Sequence, residues 1–234
     1  VIDEKVAIIT GASHGIGAGL VAAYRDAGFK VVASALSIEL STDPNVLSVA
    51  GDISNPETAD LIMSEGVDKF GRLDTLVNNA GAYISKPFTQ YTLADYDLML
   101  STNLAGFFHI TQRAVRVMEA QGWGHIVNIT ATVAEQPVKG VPAALASLAK
   151  GALNSVTRAL AIEYASCGIR VNAVSPIIIR THPEASYAGL ESQIPLGRIG
   201  EIQDVVSAVM YLENAAYVTG EISHVDGGQS AGHW

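Results

Sequence analysis

Residues Thr10 to Gly17 read Thr-Gly-Ala-Ser-His-Gly-Ile-Gly, a string able to hold a diphosphate. Gly11, Gly15 and Gly17 let the backbone turn sharply, approach phosphate oxygens and pack a helix against the preceding strand. Ser13, His14 and Ile16 fill the turn between them. The helix that opens here offers unpaired N–H groups and the positive end of its dipole. A glycine-rich string alone also fits a tight structural turn. The buried strand pattern before it and the amphipathic pattern after it favour the ligand cradle. A second point of chemistry is Lys150. Ala146 lies four residues ahead of it, one helical turn away on the same face.

The elements that would carry these residues alternate along the chain. Val6–Ile9 reads as a buried strand, and Ile16, Leu20, Tyr24 and Ala27 then share a helical face. Strands follow at Val31–Ala33 and Val46–Val49. A helix over 55–70 is opened by Asn55 as cap and Pro56 in its first turn. Leu73–Val77 is the fourth strand, and a helix spans about 93–120. Ile126–Ile129, a helix over 143–166, Arg170–Val174, a helix over 201–213 and a strand near 221–225 complete the series. Strands without polar alternation are buried on both faces. The sequence therefore predicts one α/β domain over 1–234, a doubly wound parallel sheet of the Rossmann type. Such sheets bind ligands at the carboxyl ends of their strands, where the winding reverses. The irregular stretch 176–196 is long enough for a lid or binding loop.

Composition narrows the function. Apolar residues make up 49% and charged residues 16%, which describes a packed globular chain rather than a disordered one. The net charge of −9 without a Lys/Arg cluster argues against nucleic acid. No apolar run reaches the roughly 18 residues that a membrane span needs. The opening Val-Ile-Asp-Glu-Lys-Val is unlike a signal peptide, so a soluble cytoplasmic protein is expected. The lone Cys167 cannot form an internal disulfide and reads as a structural thiol at a helix end. The histidines are scattered, without metal-binding spacing, and no metal is expected.

The spacing Gly-x-x-x-Gly-x-Gly resembles that of the short-chain dehydrogenase/reductase family, and further motifs follow in the family's order. Asp52, with Ile53 beside it, matches the aspartate that contacts adenine. Asn78-Asn79-Ala80-Gly81 matches the motif after the fourth strand. Asn103, in Asn103-Leu104-Ala105-Gly106, matches the active-site asparagine, and Lys150 the catalytic lysine. Pro176 through Thr181 matches the segment beside the nicotinamide amide, with Ile179 and Thr181 as contacts and Ile177 where the family usually has glycine. Val225-Asp226-Gly227-Gly228 matches the family's ending. The resemblance implies a nicotinamide cofactor, hydride transfer with a small-molecule substrate, and a homotetramer built through helices 93–120 and 143–166. The ending Gly232-His233-Trp234 could add an aromatic subunit contact.

An acidic residue at the end of the second strand would favour NAD(H), and a basic one NADP(H). The stretch from Ser34 to Ser37 has neither. Ser34, Ser37 and His14 could bond a 2′-phosphate, which tilts the expectation to NADP(H). In the family a tyrosine stands four residues before the lysine, and the lysine's charge lowers its pKa. Here that position holds Ala146. The family's serine position falls on Ala131, with Thr132 or Thr130 as substitutes. Three outcomes stay open. Tyr83, Lys150 or a water replaces the phenol; or the substrate is an iminium, which accepts hydride without an acid; or the protein binds cofactor without turnover. His182 and Tyr187 are expected as surface loop residues.

Overall fold

The computed structural model describes residues 4–181 and 187–232. Seven parallel strands form one sheet: β1 Val6–Thr10, β2 Lys30–Ala35, β3 Val46–Ala50, β4 Thr75–Asn78, β5 Gly124–Ile129, β6 Ile169–Pro176 and, last in sequence, a strand at Ile222–Val225 that pairs with β6. The order is β3-β2-β1-β4-β5-β6 followed by that last strand. Winding reverses between β1 and β4, so the crevice predicted for a ligand opens at Thr10 and Asn78.

Alternation within each strand feeds two cores. Ile8, Val32, Leu76, Ile126 and Val171 face helices α2 (Pro56–Phe70), α4 (Gly106–Gln121) and α5 (Ala144–Glu163). Ile9, Val31, Val77 and Val127 face α1 (Gly15–Asp26) and α6 (Ile202–Asn214). Both faces are covered, which explains why the strands lack polar alternation. Asn55 caps α2 as expected: its side chain accepts from the Glu57 N–H at 2.9 Å, and Pro56 opens the helix. Among the described residues no helix is long and apolar enough to cross a membrane.

Two expectations need correction. The helix over 93–120 is interrupted. Helix α3 (Leu93–Leu100) passes into a π-turn at Ser101–Ala105 before α4 begins. The extra residue of a π-turn rotates one side chain out of register, and here buried Asn103 is the residue displaced inward. The stretch 176–196 is also less irregular than expected. β7 (Ile179–Arg180) pairs with β8 (Gly200–Glu201), so that the last sheet strand becomes β9, and a 3₁₀ turn covers Glu191–Gln193. The pairing ties the loop to the start of α6. His182, His233 and Trp234 lie outside the described residues.

The far end of α6 closes the other edge of the sheet. Glu213 is buried beneath the amino ends of the strands. Its carboxylate accepts from Thr75 Oγ1 at 2.8 Å and Tyr24 Oη at 3.2 Å, and lies 2.9 Å from His125 Nδ1. Asn172 holds the other imidazole nitrogen at 3.2 Å. Arg170 donates to the carbonyls of Leu212, Glu213 and Val218 and caps the helix. Burial pushes the Glu213 carboxyl up, but hydrogen bonds and charge from His125 outweigh it and leave it below its ordinary value. Burial holds the His125 imidazolium back, so its pKa lies below the usual range.

Candidate active site

A groove of about 430 Å³ runs across the carboxyl ends of β1 to β4. It is lined by Gly11, Ser13, His14, Gly15 and Ile16 of the turn, by Ser34 at the end of β2, by Asp52 and Ile53 after β3, and by Asn79, Ala80 and Gly81 after β4. These were the expected cofactor residues, and the fold brings them together. The turn is stapled to β4. Thr10 Oγ1 accepts from the N–H groups of Asn79 and Ala80 at 3.1 and 3.0 Å, and Asn79 Nδ2 donates to the carbonyls of Thr10 and Gly11 at 2.9 and 3.0 Å. Gly11 and Gly15 adopt φ of 65° and 56°, which only glycine takes without strain. A Cβ on Gly11 would stand 2.8 Å from Ala80 Cα. The cradle is therefore shaped by the absence of side chains, and it fits a dinucleotide.

Besides Lys150, four expected cofactor residues lie outside the groove's lining. Ser37 is exposed and outside the groove, because β2 runs on to Ala35 and the chain leaves the edge at Leu36. Leu36, 76% exposed, lines the groove instead, as do Leu98 and Thr102, which the sequence reading did not single out. Gly17 lies behind the turn, and its role is spacing: a Cβ there would overlap the Gly11 carbonyl and stand 2.7 Å from Asn79 Nδ2. Pro176 and Ile179 line a neighbouring cleft rather than the groove, while Thr181 lines both and marks their junction.

Lys150 and Asn103 converge on Gly81. A Cβ on Gly81 would stand 2.8 Å from Asn103 Oδ1 and 3.1 Å from Lys150 Nζ. Asn103 Nδ2 donates to the carbonyls of Met99 and Ala82 at 2.8 and 3.0 Å, which fixes the amide and leaves the buried Oδ1 without a partner. Lys150 Nζ donates to the Ile129 carbonyl at 2.9 Å. Burial disfavours its charge and lowers its pKa to about 8. The ammonium is therefore present below about pH 8 and lost above it. We expect affinity for a nicotinamide dinucleotide to decline as pH rises through that value, with proton uptake on binding above it. Lys150→Met should bind about tenfold more weakly near pH 7, about 1.4 kcal/mol, with a flatter profile across pH 8. Calorimetry in two buffers of different ionisation enthalpy reads both effects, and an unchanged profile in the variant would remove Lys150 from the site.

The cleft measures about 320 Å³ and is walled by Tyr83, Ala131, Val133, Ile177, Ile179, Tyr187 and Ile194, among others. Ala131 does face it. The two threonines do not: Thr132 is buried and donates to the Ser175 carbonyl at 3.0 Å, and Thr130 donates to the Val174 carbonyl at 3.4 Å. The expected catalytic role of Thr132 therefore has no geometric support. Ala146 is buried one turn before Lys150, its methyl packed in a cluster with Met99, Val133, Ala143 and Leu145. Tyr83 reaches the cleft mouth, and partial burial raises its phenol pKa, so it holds its proton at neutral pH. Tyr187, a half-buried loop residue, also lines the cleft. Its Oη accepts from the Thr181 N–H at 3.2 Å, and the Arg180 guanidinium stands 4.9 Å over its ring.

Fold and groove together define a Rossmann-type domain with its ligand site at the switch point. The family model described as Enoyl-(Acyl carrier protein) reductase matches residues 11–230. A tropinone reductase homolog of Arabidopsis thaliana is 36% identical over 246 residues, covering 97% of this chain and 93% of its own. A crystal structure of 3-ketoacyl-(acyl-carrier-protein) reductase from Brucella melitensis complexed with NADH matches with a TM-score of 0.91 and 29% identity, covering 98% of this chain and 100% of that one. The protein ElxO with NADP bound matches with a TM-score of 0.91 and 28% identity, over the same shares of each chain. The chain belongs to the short-chain dehydrogenase/reductase family.

Proposed function

We propose that this protein is a nicotinamide-dependent oxidoreductase acting on a small organic C=O or C=N compound. One observation carries the reading: the dinucleotide groove and the apolar cleft meet at Thr181, while Lys150 and Asn103 converge on Gly81 at the groove. A bound nicotinamide supplies or accepts the hydride. The chain's residues do the rest. The glycine turn and the N-terminus of α1 hold the diphosphate. Lys150 and Asn103 orient the nicotinamide end. The apolar cleft excludes water from the reacting carbon. Groove residues carry no carboxylate at the end of β2, which favours NADP(H) over NAD(H).

In this reading Ala146 and Ala131 stand where the family places its tyrosine and serine, so the proton comes from elsewhere. Tyr83 is protonated at neutral pH and opens on the cleft, which suits an acid. Imines relieve the demand, because a protonated C=N carbon accepts hydride directly. Self-association into a homotetramer through α4 and α5 belongs to the same proposal, supported by exposed Phe108, Leu148 and Ile162 on those helices.

The test is the decay of NADPH and NADH absorbance against panels of ketones and cyclic imines. Cyclic imines should turn over faster than matched ketones. Tyr83→Phe should slow ketone reduction by on the order of 10² and leave the cofactor Kd unchanged. Ala146 favours a second reading, a cofactor-binding protein without turnover; tight NADPH binding with no consumption across both panels would establish it.

A further inference from the structure

Gln229 stands in a 3₁₀ turn, Gln229–Ala231, that follows β9 through the glycine pair Gly227-Gly228. Its side chain is only 7% exposed and lines the apolar cleft. Its Oε1 is buried and has no hydrogen-bond partner. An amide oxygen left in this state is unfavourable, unless a visiting group bonds it. The rest of the cleft sharpens the point. Among the described residues its walls are apolar apart from the tyrosines, Thr181 and Gln193, and none of those lining side chains is charged. Thr181 lies at the junction with the groove, where the reacting carbon must come. Among the described residues, Gln229 and Gln193 supply the carboxamides of the cleft.

We propose that Gln229 is a specificity-determining residue, whose carboxamide oxygen accepts a hydrogen bond from a neutral hydroxyl or amide N–H carried by an otherwise apolar substrate. The inference rests on the reading of this cleft as the substrate site. Among the described residues that line the cleft, none offers a cation to a carboxylate or phosphate on the substrate. The substrate class is therefore an uncharged carbonyl or imine compound with an apolar body and one hydrogen-bond donor away from the reacting carbon.

Two ketones of matched shape test this: 4-(4-hydroxyphenyl)butan-2-one and its 4-methylphenyl isostere. Their Kd values are read by saturation-transfer NMR on the protein loaded with NADP⁺, which requires no turnover. The phenol should bind about tenfold more tightly than the isostere, as one hydrogen bond to an otherwise unpaired group implies. Gln229→Leu should erase that preference, tighten the methyl compound, and leave the NADP⁺ Kd unchanged. Removing an unpartnered buried amide should also leave folding intact or improve it. Equal affinities in the unaltered protein would overturn the proposal, as would a preference that survives Gln229→Leu. Binding of neither ketone to an NADP⁺-loaded protein would overturn it as well, while leaving the cofactor site standing. Failure of NADP⁺ itself to bind would bring down the underlying reading first.

Discussion

Gly17→Ala should weaken NADPH binding by at least about 100-fold, on the order of 2.7 kcal/mol, and cost about 1–3 kcal/mol of stability. The added methyl meets backbone rather than a flexible side chain. It would overlap the Gly11 carbonyl and press on Asn79 Nδ2, two members of the staple that fixes the cradle. Relief requires α1 to move away from the turn. That movement withdraws the helix N-terminus from the diphosphate and breaks the bond between Asn79 and Gly11. Calorimetry gives the first quantity and urea unfolding of the cofactor-free protein the second. A folded variant with unaltered affinity would show that helix spacing does not set the cradle.

Glu213→Ala should be the most destabilising single change at the amino edge of the sheet, about 3–5 kcal/mol. That is a large share of the roughly 5–15 kcal/mol by which domains are usually stable. Removing the carboxylate leaves Tyr24, Thr75 and His125 buried without their acceptor. The urea midpoint should fall with the slope unchanged. Acid should act in the same direction. His125 has a lowered pKa in the fold, so below its ordinary value near 6.5 the unfolded chain takes up the proton first and stability falls. Glu213 also has a lowered pKa; its contribution is complete above its unfolded value and is lost as pH falls through the folded one. Between pH 7 and 5.5 stability should decline by at most about 1.4 kcal/mol per pH unit for the histidine proton. His125→Gln should flatten that limb. A limb unchanged in the variant would assign the acid sensitivity to other groups.

Local patterns made much of the molecule legible. The glycine turn, the doubly wound sheet and the Asn55 cap each follow from contiguous residues, and the structure has all three. Site details that depend on register were harder. Placing Thr132 in the cleft overlooked the alternation beyond β5, by which Ala131 and Thr132 face opposite ways. Ser37 was misplaced because β2 ends later than its apolar run. The π-turn has no sequence signal beyond a helix that is otherwise continuous, yet it sets Asn103 inward. The Glu213 cluster was invisible for a different reason: its hydrogen-bond partners lie 88 to 189 residues away, and only the folded sheet assembles them. Gln229 was hidden likewise, a polar residue in a glycine-rich ending whose burial depends on the walls around it.

Helix α6 spans the molecule from β8 beside the cleft to Glu213 beneath the opposite rim of the sheet. Cohesion is thus anchored at one pole and selectivity is shaped at the other. Mutational drift in Ile177, Ile194 or Gln229 falls far from the carboxylate that locks the base. Descendants of this chain can therefore be retooled for new compounds while the chassis that carries the dinucleotide stays as it is.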